Sequence, residues 1–247
     1  MVTRRAFTAS GLAAGLMAVA GPAAAVGPHR RPVVVELFTS QGCSSCPPAD
    51  AFLGELAKRD DVVALAFHVD YWDYIGWKDP FGDPAYTRRQ RAYAARLRQR
   101  TIYTPQMVID GVSHEVGSRR GAVESAIRER LQLGPAVRPS IPVEFGRRSD
   151  GAVTVFVPKA AATGSADLLL AAIDAKHVTE VRRGENSGRV LADYNVVRSV
   201  SRIGRWTGGD LSVTVDADTW HRGADALVVL LQAEDHGPIW GVARVPL

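Results

Sequence analysis

The sequence predicts an α/β fold in two parts: a β-α-β-α-β-β-α unit over residues 30–134, then a smaller all-β, sandwich-like unit over 143–247. Three observations carry this. Two nearly continuous apolar runs, Val33–Phe38 and Val62–Val69, flank a segment with helical periodicity, as strands of a parallel sheet buried on both faces do. Residues 135–142 hold Pro135, Pro139 and Pro142 and read as a linker. Beyond them, short β-rich segments alternate with Gly, Asp and Asn turns, the pattern of a small sandwich.

Taken in order, Val33–Phe38 is the first strand and Thr39-Ser40-Gln41-Gly42 the loop that follows. Pro47 suits the first turn of a helix, where its missing N–H costs nothing. Ala51, Phe52, Leu56 and Ala57 then fall at helical spacing on one face. After the Val62–Val69 strand comes an irregular, aromatic-rich stretch, Tyr71 to Pro84. Pro84–Arg100 reads as a second helix with Tyr86, Tyr93 and Leu97 inward and its arginines in solvent. Gln106–Ile109 and Ser113–Val116 form a hairpin through Asp110-Gly111, a strong turn signal. Gly121–Leu133 closes the unit as a helix, with Val123, Ile127 and Leu131 recurring every fourth residue. Seven strands are expected after the linker: 141–145, 153–157, 168–174, 190–200, 211–215, 227–233 and 240–245.

The first residues read as an address rather than as part of the fold. Arg4-Arg5, an apolar run from Gly11 to Ala20, and Ala23-Ala24-Ala25 follow the order of a cleaved export signal at 1–25. Thr3-Arg4-Arg5 has the twin-arginine pattern, and the apolar run is too short to span a bilayer. A periplasmic or secreted protein is expected, with no membrane insertion after cleavage. Removing residues 1–25 takes away two arginines and no acid, so the net charge falls from +4 to +2. The remaining charges are scattered, which excludes nucleic acid as an expected partner. No catalytic serine elbow, zinc-protease motif or phosphate-binding glycine loop is found.

The two cysteines are the sharpest signal. Cys43 and Cys46 stand in Gly42-Cys43-Ser44-Ser45-Cys46-Pro47 at the end of a strand and the start of a helix. A disulfide closing so short a loop removes little unfolded-chain entropy, so stability alone does not explain it. At a helix N-terminus the macrodipole and unpaired N–H groups lower a thiol's pKa below the free value of about 8.5. Cys43 is therefore the expected nucleophile and Cys46 the resolving thiol, in a thioredoxin-like arrangement. Pro105, just before the third strand, occupies the place where such folds carry a cis-proline; a trans proline starting a strand is the alternative. Glu36, inside an apolar strand, is the expected buried acid that moves a proton to or from Cys46; a solvent-facing edge position is the alternative. His68 ends the second strand on the same sheet edge. With Cys43 and Cys46 it makes a set suited to copper, set against a histidine hydrogen-bonded within the sheet.

Longer motifs resemble the DUF1223 family. They are Val35 to Asp50 around the cysteines, Phe67-His68-Val69-Asp70-Tyr71-Trp72-Asp73 with Gly76-Trp77, Tyr103-Thr104-Pro105-Gln106, and Gly184-Glu185-Asn186-Ser187-Gly188-Arg189. The resemblance covers nearly the whole chain after the signal and implies a secreted bacterial protein with a thioredoxin-like first domain. The family's name states that its function is not established. Between the cysteines, Ser44-Ser45 lacks the Pro or His of well-known thioredoxin relatives, which argues against an extreme thiolate.

The expected function is thiol-disulfide exchange with protein thiols or disulfides, with no cofactor beyond the Cys43–Cys46 pair. A copper-binding or copper-delivery protein using the same cysteines, and a binding module with a static disulfide, are the competing expectations.

Overall fold

The computed structural model describes residues 31–161 and 164–247, so the expected export signal at 1–25 lies outside the described residues. Strand β1 (Val33–Thr39) is buried along its whole length. Strand β2 (Val62–His68) runs parallel to it, with Val33 opposite Val62 and Thr39 opposite His68. On its other side β3 (Gln106–Ile109) runs antiparallel, Phe38 opposite Gln106, and pairs in turn with β4 (Ser113–Val116). At the hairpin turn Asp110 and Gly111 have φ of 51° and 70°, left-handed backbone that Asp and Gly tolerate best.

Helices α1 (Pro47–Leu56), α2 (Pro84–Arg96) and α3 (Arg120–Gln132) complete the expected β-α-β-α-β-β-α order. Strand alternation sorts them by face. Val33, Val35 and Leu37 of β1 pack with Phe52, Leu53 and Leu56 of α1 and with Val123 and Ile127 of α3. Val34 and Phe38 turn to the opposite face and meet Tyr86 and Tyr93 of α2. Two local expectations change. Ala51 is exposed, the inward face of α1 being Ala49, Phe52, Leu53 and Leu56. Helix α2 stops at Arg96 rather than Arg100, because Arg98 takes a φ of 55°, which ends a right-handed helix without a glycine.

All seven later strands are present: β5 (Glu144–Arg147), β6 (Val153–Val157), β7 (Ala166–Glu180), β8 (Val190–Trp206), β9 (Leu211–Val215), β10 (Ala226–Ala233) and β11 (Ile239–Pro246). β5 starts three residues late, since Ile141 donates its N–H to Trp240 instead, 2.8 Å away, and Pro142 has none to give. β5, β6 and β9 form a small antiparallel sheet, and β11-β10-β7-β8 continue directly into β2-β1-β3-β4 as one eight-stranded sheet. Val153, Val155 and Val215 of the small sheet pack onto Leu168, Leu170 and Leu227 of the large one, which makes the expected sandwich. The sequence held no sign of the join. It is a single parallel pair, Ala66 opposite Val196, with the Asn195 amide donating to Ala64 O at 2.9 Å.

The proline-rich segment 135–142 is pinned to the first unit. Arg138 and Arg31 place guanidinium nitrogens 2.7 and 2.8 Å from the Asp110 carboxylate, and Arg130 lies 3.2 Å away. Asp110 is fully buried, and Arg31 with Arg138 holds its pKa below the usual carboxylate value against the effect of burial.

Beyond the sheet, β7 and β8 run on as a paired arm, from Lys176 opposite Tyr194 to Glu180 opposite Val190. The arm lies along α1. A methyl group on Gly54 would sit 2.6 Å from the Tyr194 ring, so glycine is what lets the two approach.

Candidate functional site

Strand β1 delivers the cysteine loop. Cys43 and Cys46 are joined by a disulfide with Cα atoms 5.5 Å apart. Cys46 is the N-cap of α1, and its carbonyl accepts from the N–H groups of Ala49 and Asp50 at 2.8 and 3.1 Å. The helix end offers fewer free donors than the motif suggests, because its first two residues are Pro47 and Pro48. The backbone donors left between the sulfurs are those of Ser44 and Ser45. The Ser45 hydroxyl lies 3.3 Å from Cys43 Sγ. Both cysteines are covered, Cys43 being 1% and Cys46 0% exposed, while the two serines are exposed.

Behind the loop, on the α1 face of the sheet, lies a buried polar cluster that sequence reasoning did not assemble. Asp50 is one helical turn after Cys46 and therefore on the same side of α1. Its carboxylate accepts from the Thr39 hydroxyl at 2.7 Å. Burial and the neighbouring Asp193 push its pKa up to about 7, only partly offset by Thr39. His68 Nδ1 is 2.8 Å from Asp79, and its Nε2 is 3.9 Å from Asp193. Burial disfavours the imidazolium, but the charge of Asp79 and then of Asp193 outweighs it and raises the His68 pKa to about 9. Gln41 ties cluster to loop: its backbone N–H donates to Asp79 and its side-chain Nε2 to Asp193, both at 2.7 Å, and its side-chain Oε1 accepts from Trp77 Nε1 at 3.1 Å. A cleft of about 220 Å³ between α1 and β8 opens onto Asp50, lined also by Pro47, Ala51, Leu191 and Tyr194.

The expected site residues are distributed differently from the sequence reading. Glu36 is buried, as expected of an acid in an apolar strand, yet it shares its face with Val34 and Phe38, away from α1. There it binds Arg89 at 2.6 and 2.9 Å and accepts from Tyr93 OH at 2.5 Å, so its carboxylate is committed to α2. Asp50, one helical turn after Cys46, is a buried carboxylate on the α1 face instead. Pro105 follows a cis Thr104–Pro105 peptide and its carbonyl accepts from Gly117 N–H at 2.9 Å. It precedes Gln106, the partner of Phe38, and so sits at the sheet end from which the cysteine loop leaves. Trp72 spans the two, donating to Thr104 Oγ1 at 2.8 Å, with its Cβ 3.0 Å from where a side chain on Gly42 would begin. His68 is engaged by carboxylates, and among the described residues no three His, Cys, Asp or Glu side chains are grouped as metal ligands. Cys43, Cys46 and His68 therefore do not come together as the alternative copper set.

The arm between β7 and β8 brings a further part of the site from far along the chain. Its tip is Gly184–Arg189, one of the stretches that carry the family resemblance. Asn186, fully buried, donates both amide hydrogens to the loop, to Gln41 O at 2.9 Å and Cys43 O at 3.0 Å. Glu185 accepts from Ser44 N–H at 3.1 Å.

The fold is shared by a known structure. A family model described as "Protein of unknown function (DUF1223)" matches residues 34–232, from β1 through β10 and so across both sheets. The chain belongs to the DUF1223 family. It is also similar to a crystal structure of an Agrobacterium tumefaciens protein determined in a structural-genomics programme. The two share 28% identity and a TM-score of 0.76, over 89% of this chain and 96% of that one. No curated protein matches the sequence. In this DUF1223 chain the Asp50 position was legible as Cys46 plus one helical turn; Asp79 and Asp193 reach the site only through tertiary structure, and Asn186 lies in a marked stretch, Gly184–Arg189, whose sequence does not say what it meets.

Proposed function

We propose that this DUF1223 protein is an exported thiol-disulfide exchange protein acting on protein thiols or disulfides, with a thioredoxin-like first unit. The observation that carries the reading is the pairing of a helix-capping disulfide with a buried carboxyl group, Asp50, whose pKa is pushed up to about 7 and which lines a cleft of about 220 Å³. In the reduced protein the Cys43 thiolate attacks a substrate disulfide, and one substrate sulfur leaves as a thiolate. Cys46 then loses its proton to the Asp50 carboxylate and attacks Cys43 Sγ. The mixed disulfide breaks, the second substrate thiolate departs and the Cys43–Cys46 bond re-forms, two electrons having passed to the substrate. The reverse sequence oxidises a substrate dithiol. A pKa near ambient pH suits a group that must both take and return that proton. Pro105, Thr104 and Trp72 border the place where an extended substrate would lie. Export rests on the twin-arginine and small-residue pattern of residues 1–25.

The near-complete covering of both sulfurs favours a second reading, a static disulfide clamp. Replacing Cys46 with alanine separates the two. A disulfide exchanger accumulates a mixed disulfide on Cys43 with a peptide disulfide, whereas a clamp leaves Cys43 unmodified at protein-folding pH and equal peptide concentration.

A further inference from the structure

We infer that Glu185, reaching from the β7–β8 arm, is a positioning residue that sets the thiolate stability of Cys43 and keeps the pair less oxidising than its place at a helix end would make it. The inference rests on the dithiol reading above and names what regulates that same site.

A thiolate at a helix N-terminus is held by N–H groups and by the macrodipole. Here Pro47 and Pro48 remove two of those donors, and the N–H groups of Ala49 and Asp50 are turned back to Cys46 O. The Cys46 N–H is occupied by Cys43 O at 3.2 Å and the Cys43 N–H by Ser40 O at 3.1 Å. Stabilisation of a Cys43 thiolate therefore falls to the Ser45 hydroxyl, the Ser45 N–H and the Ser44 N–H. Glu185 takes the last with an ionised carboxylate. It acts twice against the thiolate: it occupies a donor one residue from the sulfur, and it puts a negative charge beside the place where a second one must form. Asn186, its neighbour, fixes the tip by two hydrogen bonds to the loop, so the charge is positioned rather than free to swing away. Glu185 itself is exposed, and its carboxylate is held by Ser44.

The test compares Glu185→Gln, Glu185→Ala and the wild type, with Glu180→Gln as a control acid on the same arm. Two quantities are read. One is the Cys43 thiol pKa of the chemically reduced protein, from the pH dependence of alkylation. The other is the equilibrium constant for protein disulfide plus two glutathione thiols giving protein dithiol plus glutathione disulfide. In Glu185→Gln the pKa falls and the constant rises three- to tenfold, tenfold being about 30 mV for this two-electron couple. Glu185→Ala, which also frees the Ser44 N–H, shifts both further. The difference between Glu185→Gln and wild type narrows as salt is raised, as screening of an exposed charge requires, and Glu180→Gln matches wild type. A Glu185→Gln protein with wild-type pKa and equilibrium constant overturns the inference, as does a shift that salt leaves untouched. If the wild-type disulfide fails to equilibrate with glutathione, the exchange reading falls, while the thiol pKa of the reduced variants still decides the role of Glu185.

Discussion

Replacing Asp50 with asparagine tests the proton-transfer role through two independent readouts. Asparagine keeps the size of the side chain and an oxygen for the Thr39 hydroxyl, and it removes the titration. In the folded protein Asp50 titrates near 7, against about 3.8 for an ordinary aspartate. Between those values the folded chain holds a proton that the unfolded chain has lost, so this group's contribution falls as pH rises and the loss is complete above about 7. A displacement of about three pH units at 1.36 kcal/mol each amounts to on the order of 4 kcal/mol for this buried group. Urea unfolding of both proteins from about pH 4 to about pH 8 therefore gives a stability difference that grows in favour of Asp50→Asn and then levels off. The same variant slows release of a mixed disulfide from Cys43 by about 10²- to 10⁴-fold, the usual worth of a general acid-base group, and it loses the inflection near pH 7. Parallel stability curves together with an unchanged rate profile would refute the reasoning.

Three other substitutions probe the surroundings. Asn186→Ala removes two hydrogen bonds worth about 1 kcal/mol each, so reduction by a small thiol accelerates by up to about 30-fold; a rate equal to wild type in stopped-flow assays contradicts the idea that the arm's hold on the cysteine loop slows reduction. Glu36→Gln leaves the Arg89 guanidinium buried without its counter-charge and costs about 3–5 kcal/mol. Exchange rates per folded molecule stay unchanged, and a specific loss of rate would return Glu36 to the chemistry. Gly54→Ala improves helix propensity by about 1 kcal/mol, but it drives a methyl group into the Tyr194 ring. A net loss of about 1–3 kcal/mol follows from overpacking, and a net gain in thermal unfolding would show that the arm does not lie against α1.

Much of the fold was legible because single elements carry their own signals. The apolar runs of β1 and β2, the Asp110-Gly111 turn and the period of Val123, Ile127 and Leu131 are local patterns, and each lies where those patterns put it. The merging of two units into one sheet was hidden, since it depends on one strand pair and the Asn195 amide. The site divides in the same way. Cys43, Cys46 and Pro105 are marked by sequence neighbours that chemistry demands. Glu36 was assigned from burial alone, and burial does not say which face of a strand a residue occupies. Counting alternation from Val35 and Leu37, which meet α1, would have turned Glu36 away from the cysteines and pointed to Thr39 and its partner Asp50. His68 found its carboxylate at Asp79 rather than at the nearby Asp70, whose carboxylate accepts from Thr87 at 2.5 Å. The contributions of Asp193 and Asn186 come from a hairpin well over a hundred residues beyond the cysteines in sequence, a distance that no motif spans.

The central claim is that the Cys43–Cys46 bond is exchanged rather than permanent, and its reduction potential tests this most directly. Equilibrating the metal-free mature protein with glutathione buffers and counting free thiols gives the value. We expect it between about −120 and −270 mV, the range of disulfide oxidants, isomerases and reductases. A value below about −300 mV, where glutathione cannot open the bond, would make the disulfide structural and contradict the account.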